Sequence, residues 1–568
     1  MKYKKKKKSN PTLVVLLLAV VIAAAGAAFY LVGKKLPSRA HETPEAYFGA
    51  GEDQVAVTAG SVLAPDKGRI IDGRIYLAYP TVAGQISKSF YYEEASRMLI
   101  VTTPKEKIML DLADGGVTKG KEAEILNGVL YISLDYLKEK TDLEVRELDA
   151  PRRVVIDTVF TYPAADLSAP APIRKEASIK ADIIKDGSKG ETLRTLDVGA
   201  DGTALAGKAE GWTRVATEDG YVGYVEDQNL TGYRQETMEH QPLFEESPAP
   251  FGDGKINMVF HQTTSQAANA AFETAVQNVT GVNVIAPTWF FLKNKQGEMT
   301  SLASPAYVEN AHQKGMKVWA VMNDFDGGVA SADATAEALS TWQNRDKIVR
   351  AVMQGLDQSK ADGLNIDFEQ VTKASSPSFL ELVRELAVEC KKRGIALSVD
   401  NYVPTFTRYM DRREQARVAD YVVTMCYDEH TDGAEKAGSV ASLPFVRKGL
   451  EDTLQEVPAS KLIAAIPFYT RLWTTDGSGA PGSTAYGMSD AAAAAKSLGM
   501  NLTFDENKGQ NYGKAESNGT TYQMWMEDEA SVKAKMEVIS SLGAAGVAEW
   551  KLGQEDRGIW AVIDQYLA

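Results

Sequence analysis

The spacing of hydrophobic positions changes along this chain, and each change predicts a different kind of structure. Leu13 to Val32 is a continuous apolar run, long enough for one helix across a bilayer. Between residues 60 and 230, apolar residues come in short runs bounded by Asp-Gly or Asn-Gly, which predicts strands and hairpins. From Lys255 onward, short apolar runs alternate with helical stretches. The predicted strands are 256–261, 282–287, 317–322, 363–368, 395–400, 421–426, 462–468 and 546–550. Eight strands alternating with helices predict a parallel (β/α)8 TIM barrel, with its chemistry at the C-terminal strand ends. The seventh and eighth strands are too far apart for one crossover, so 474–526 is expected to hold a small α/β insertion.

Six lysines precede the N-terminal apolar run, and Lys34, Lys35 and Arg39 come after it. That bias keeps the N-terminus cytoplasmic and places the chain beyond residue 36 outside the cell. Small residues at 23–28 would suit a cleaved signal peptide, but the apolar stretch continues through Val32. The expectation is a retained, single-pass membrane anchor over 1–36. No cysteine lies nearby to carry a lipid.

The segment 37–65 holds Pro37, Pro44 and Pro65 and reads as a linker into a first domain. A repeat comes next: IIDGRIYLAYPTV (70–82) matches ILNGVLYISLDYL (125–137), and RMLIV (97–101) matches RRVVI (152–156). Each half predicts a hairpin, a short helix and further strands. This repeat resembles the copper amine oxidase N-terminal-like domain, which implies an α+β stalk over 37–162 with no copper chemistry. PAADLSAPAP (163–172) reads as a second linker. The stretch 173–232 ends in GWTRVATEDGYVGYVED (211–227) and resembles the closing strands of a bacterial SH3 domain. That likeness implies a small β-barrel that binds wall peptide or glycan, with Trp212 and Tyr224 as ligand contacts or core. ESPAPFGDG (246–254) leads into the barrel, 254–568.

A net charge of −14 argues against a nucleic-acid partner. The two cysteines, Cys390 and Cys426, fall in core-like segments and offer no disulfide scaffold. Five histidines without a His-x-x-x-His pair argue against zinc chemistry, and no metal or cofactor is expected.

Chemistry concentrates in the fourth barrel strand, DGLNIDFE (362–369). Alternation along a strand puts Asn365, Asp367 and Glu369 on the inward side, and Leu364, Ile366 and Phe368 against the helices. Polar groups on three successive inward positions are costly unless hydrogen-bonded, and these climb toward the catalytic end. Two neighbouring carboxyl groups disfavour joint ionisation, so one stays protonated near neutral pH, as a general acid must.

The segment resembles the D-x-x-D-x-D-x-E signature of glycoside hydrolase family 18, with Asn365 where the commonest pattern has Asp. PTWF (287–290), MCYDE (425–429), YQMWMEDEASVKAKM (522–536) and EWKLG (549–553) fit its branch of spore-cortex and peptidoglycan N-acetylglucosaminidases. The resemblance implies substrate-assisted retention, an exception to the two-carboxylate scheme. On it, Glu369 is the acid, Asp367 orients the substrate's acetamido group and Tyr427 donates to the acetamido oxygen. Trp550 forms the floor under the −1 sugar, with Met425 and Asp428 lining the same subsite. Trp289, Phe290 and Trp319, at or near strand ends, are further candidate sugar platforms, equally explicable as core. Asn323 and Asp324 after the third strand and Asn401 and Tyr402 after the fifth are mouth positions or loop caps, and Arg471 after the seventh binds sugar hydroxyls or pairs with a carboxylate. With Asn365 in place of a carboxylate, Asp367 is expected to have no acid below it and to be ionised at neutral pH. The expected substrate is β-1,4-linked N-acetylglucosamine glycan of peptidoglycan. The alternatives are a chitinase and a non-catalytic glycan-binding or structural envelope protein.

Overall fold

The computed structural model describes residues 36–244, 254–329, 331–476 and 479–567. The predicted anchor at 13–32 and nearly all of the linker at 246–254 lie outside the described residues. Among those described, no helix is long and apolar enough to cross a membrane.

The chain divides into two compact units. The first runs to Lys88 and resumes from Asp114 to Phe244. Its two matching segments are hairpins, with Asp72-Gly73 and Asn127-Gly128 at the turns. All four residues have positive φ, as the tight turn that matches strand twist requires. The hairpins pair with each other through Leu77 and Ile132. Both proposed linkers in this unit are strands instead. Gln54–Ala59 pairs in parallel with Arg152–Asp157 inside the sheet. Thr161–Leu167 pairs with Thr192–Thr195 and with Leu230–Thr237 in a seven-stranded sheet. Proline there marks strand positions, and small Ala164 and Ala165 are fully buried. Phe48, Ala56, Leu193, Val215 and Tyr221 share one core, so the β-rich segments on either side of residue 160 pack as one body.

The second unit holds Ser89–Ala113 and the described residues after 245. Its eight parallel strands are β1 (Ile256–His261), β2 (Val284–Leu292), β3 (Lys317–Asn323), β4 (Gly363–Asp367), β5 (Ala396–Tyr402), β6 (Tyr421–Met425), β7 (Leu462–Pro467) and β8 (Gly546–Trp550). Each pairs with the next, and β8 pairs with β1, which closes the barrel. Leu364 and Ile366 are fully buried against the helices, each stabilising by about 1.5–3 kcal/mol. At the barrel floor Trp319 stacks on Tyr421. A Cβ on Gly363 would come within 2.4 Å of the Trp319 ring, so only glycine fits there.

Two helices come after β3 and β4: α1 (Trp342–Ser359) and α2 (Ser376–Arg393). The Thr341 hydroxyl accepts from the Asn344 N–H to cap α1, and Gly394, at φ 66°, ends α2. Between β7 and β8 the chain builds a five-stranded antiparallel sheet and the helix Met488–Ser497. This insertion starts at Tyr469, directly after β7. A three-stranded meander, Phe90–Glu93, Met98–Thr102 and Lys107–Asp111, packs on α1 and α2.

Candidate active site

At the C-terminal end of β4 the backbone is held by Asp324, from the loop after β3. Its carboxylate accepts from the Glu369 N–H at 2.8 Å and from the Gln370 N–H at 3.1 Å. Its second oxygen also accepts from the Thr335 hydroxyl at 2.9 Å. Glu369 is thereby fixed at the mouth, half-buried, and accepts from the Tyr402 hydroxyl at 2.6 Å. Burial raises the Glu369 pKa; the Tyr402 hydrogen bond opposes this, and Asp324, Asp428 and Asp326 add to it. The outcome is a carboxyl group that holds its proton to higher pH than an ordinary glutamate.

Asp367 is buried one inward step below. Burial, then the nearby carboxyls of Asp400 and Glu369, push its pKa well above the ordinary range. The expectation that Asp367 has no acid beside it, and so ionises independently at neutral pH, is therefore corrected. β4 does lack the carboxylate at 365, but Asp400 on β5 supplies one: Asn365 Nδ2 donates to Asp400 Oδ1 at 2.7 Å and to the Ser398 hydroxyl at 2.9 Å. Tyr427, after β6, is buried, and its hydroxyl pKa is raised by burial and then by Asp367. Met425 is buried at the end of β6. Asp428 has φ 60° and accepts from the Tyr469 hydroxyl. Trp550 ends β8 half-buried, 5.4 Å from the Phe260 ring. Arg471 Nη1 donates to the Ser483 hydroxyl at 3.0 Å along the insertion hairpin.

Three candidate contacts are corrected. Trp289 is fully buried, and its indole N–H donates to Asn269 Oδ1 at 2.9 Å. β2 continues past Pro287 with a register shift between Thr288 and Phe290, so Trp289 packs on the helix side against Tyr307, with Phe290 buried beside it. Asn401 is buried and donates to Gln415 Oε1 at 2.7 Å, away from the barrel axis. β5 runs on to Tyr402, so alternation turns Asp400 and Tyr402 inward and Asn401 outward. Asn323 is buried and caps a turn through Asp326. Asp400 and Tyr469 are the residues that sequence reasoning left out of the site, while Tyr402 was legible as a mouth position after the fifth strand. The alternation in SVDNY (398–402) was the available signal for Asp400.

Trp289→Phe tests its reassignment. It should lower stability by about 1–3 kcal/mol, because Asn269 loses its donor, and leave KM unchanged. A raised KM at unchanged stability, read from chemical unfolding and kinetics, would return Trp289 to the sugar path.

The family model for glycosyl hydrolases family 18 matches residues 262–555. The chain therefore belongs to this family and is a glycoside hydrolase. Over 310 residues it is 25% identical to the uncharacterized glycosylase YvbX of Bacillus subtilis (strain 168), covering 52% of this chain and 87% of that one. It is 22% identical over 283 residues to the cortical fragment-lytic enzyme of Bacillus anthracis, covering 48% of this chain and 65% of that one. The crystal structure of the Bacillus cereus spore cortex-lytic enzyme SleL is similar in fold: TM-score 0.50, 19% identity, covering 59% of this chain and 77% of that one.

Proposed function

We propose that the barrel hydrolyses β-1,4-linked N-acetylglucosamine glycan in peptidoglycan, with retention and with the substrate's acetamido group as nucleophile. The observation that carries this reading is Glu369 at the barrel mouth, its proton retained by burial and its carboxyl group oriented by Tyr402. Glu369 gives its proton to the glycosidic oxygen as the C1–O bond breaks. The acetamido oxygen attacks C1 from the opposite face and forms an oxazolinium ion. Asp367 accepts from the acetamido N–H and stabilises the positive charge that develops. Tyr427 donates to the acetamido oxygen. Glu369, now a carboxylate, takes a proton from the water that opens the ring, restoring both the acid and the anomeric configuration. Trp550 stacks under the −1 sugar, Met425 and Asp428 line its subsite, and Arg471 reaches the glycan from the insertion.

Peptidoglycan is favoured over chitin by the β-rich segments that precede the barrel, read as SH3-like and stalk modules, and by the lysine-flanked apolar run, read as a membrane anchor. The similarity to cortical fragment-lytic enzymes supports the same choice. On this reading the barrel works outside the cytoplasmic membrane, on wall glycan.

The test compares aryl glycosides of a GlcNAc disaccharide and a glucose disaccharide. Only the acetamido sugar should be cleaved, and a thiazoline analogue of the cyclic intermediate should inhibit. Comparable cleavage of both sugars, or an active enzyme indifferent to thiazoline, rejects substrate assistance. Release of reducing ends from purified peptidoglycan should exceed release from chitin; the reverse order makes the protein a chitinase.

A further inference from the structure

Four polar side chains cross from β4 to β5 below the catalytic acid: Asn365, Asp367, Ser398 and Asp400. All are buried. Asn365 spends both amide N–H groups on β5, one to Ser398 and one to Asp400 Oδ1. Asp400 Oδ2 and Asp367 Oδ1 are each buried with no hydrogen-bond donor among the described residues. The groups acting most strongly on Asp367 are Asp400, Glu369, Asp324 and Asp326, all carboxyls. On Asp400 they are Asn365 and Glu369. The other titratable groups facing this cluster are Tyr402 on β5, and Tyr427, Asp428 and Tyr469 beyond it. No cation acts on either carboxyl among these influences. Two buried carboxyls without a cation cannot both ionise near neutral pH. One proton between them satisfies both orphaned oxygens, as donor on one side and acceptor on the other.

We propose that Asp400 is a positioning residue for the hydrolytic reaction: from β5 it supplies the carboxyl group that β4 lacks at 365, and it shares one proton with Asp367. Asn365 serves as the clamp that aims Asp400. The proton on Asp400 donates to the Asp367 carboxylate and fixes its rotamer, leaving the other Asp367 oxygen to accept from the substrate. Asp400 touches no substrate atom. Burial, opposed by Asn365, raises the Asp400 pKa to about 8, in keeping with a retained proton. The pair titrates as a unit, so its upper step belongs to both residues. The part played by Asp367 rests on the reading above; the shared proton does not.

The sign of the pH effect is set by linkage. The folded protein keeps a proton that the unfolded chain releases at an ordinary aspartate pKa, near about 4. Stability from this proton is full below that pH and declines as pH rises through about 8. Unfolding midpoints should therefore fall between pH 5 and 9 in the wild type. They should fall less in Asp400→Asn, which has no second carboxyl to ionise. Adding Asn365→Asp to that variant moves the carboxyl back to β4, and the pH-dependent loss should return. In kinetics, Asp400→Asn should lower kcat about tenfold or more at little change in KM, less than the 10²-fold or more for a directly acting acid. It should also shift the alkaline limb of the kcat profile. The double variant should recover kcat relative to the single one. An Asp400→Asn variant with the wild-type pH dependence of unfolding overturns the shared proton. A double variant no faster than the single one overturns the positioning role. If the wild type cleaves no GlcNAc glycoside, the substrate assignment fails, and the unfolding comparison still decides the shared proton.

Discussion

Glu369→Gln should cut turnover by about 10²–10⁴-fold while leaving glycan binding and the fold intact. The amide matches the carboxyl group in shape, and its oxygen can still accept from Tyr402, now at 2.6 Å from Oε2. It has no proton to give the glycosidic oxygen, and it cannot take one from water in the second half of the reaction. Positioned proton transfer is typically worth about 10²–10⁴-fold, so kcat should fall by that range with KM nearly unchanged. Stability supplies an internal control. Burial and nearby carboxyls raise the Glu369 pKa, so its ionised form is disfavoured in the folded state. The stability linked to its proton is present at low pH and is lost as pH rises through the folded pKa. The Gln variant has no charge to bury and should match the wild type at acidic pH and be no less stable at alkaline pH. The measurements are steady-state hydrolysis of a GlcNAc glycoside, binding of an uncleaved oligomer, and unfolding at pH 5 and 9. Hydrolysis at the wild-type rate would remove Glu369 from the role of acid.

The barrel was legible because its strands are near-continuous apolar runs of similar length, each leading into a helical stretch. The inward face of β4 was legible for the same reason: the period of two leaves no choice about Asn365, Asp367 and Glu369. The errors arose where a strand outran its apolar run. β5 continues through Asn401 to Tyr402, whereas the predicted strand ended at Asp400, so the outward asparagine was taken as the mouth residue and the inward aspartate was passed over. β2 continues past Pro287, which hid the burial of Trp289. Composition misled in the same way at 163–172, where Ala and Pro suggested a linker and small buried side chains made a strand. The partner of Asn365 could not be read from β4 alone, because it depends on the register with β5, where Asn365 lies opposite Ser398.

Sequence order also conceals what completes the outer wall of the barrel. The meander residues 89–113 fall within the repeat, yet they belong to the barrel's compact unit. Glu93 accepts from the Trp342 N–H at 2.7 Å, at the start of α1, and from Arg345 Nη1 at 3.4 Å. Arg345 is fully buried; Glu385 on α2 accepts from its Nε at 3.1 Å, and the Tyr91 ring lies 5.1 Å from its guanidinium carbon. Lys107 of the meander donates to the other oxygen of Glu385 at 3.1 Å. Glu93→Ala should therefore strip a first-turn N–H of α1 of its acceptor and leave Arg345 with one carboxylate. Arg345 keeps Glu385, so the loss is that of charged hydrogen bonds in a buried site, typically about 1.5–3 kcal/mol each, and not that of an uncompensated charge. Glu93→Gln should cost less, since its amide oxygen still accepts from Trp342. A double-mutant cycle with Arg345→Met separates the two losses: if Arg345 is the reason Glu93 matters, the double variant should cost clearly less than the two single costs added. The readout is the unfolding transition at which hydrolysis is lost, which tracks the barrel alone. A barrel excised at residue 254 lacks the whole meander and should unfold at lower denaturant than the full chain. An excised barrel as stable as the full chain, or a Glu93→Ala variant without measurable cost, would show that the meander merely rests on α1 and α2.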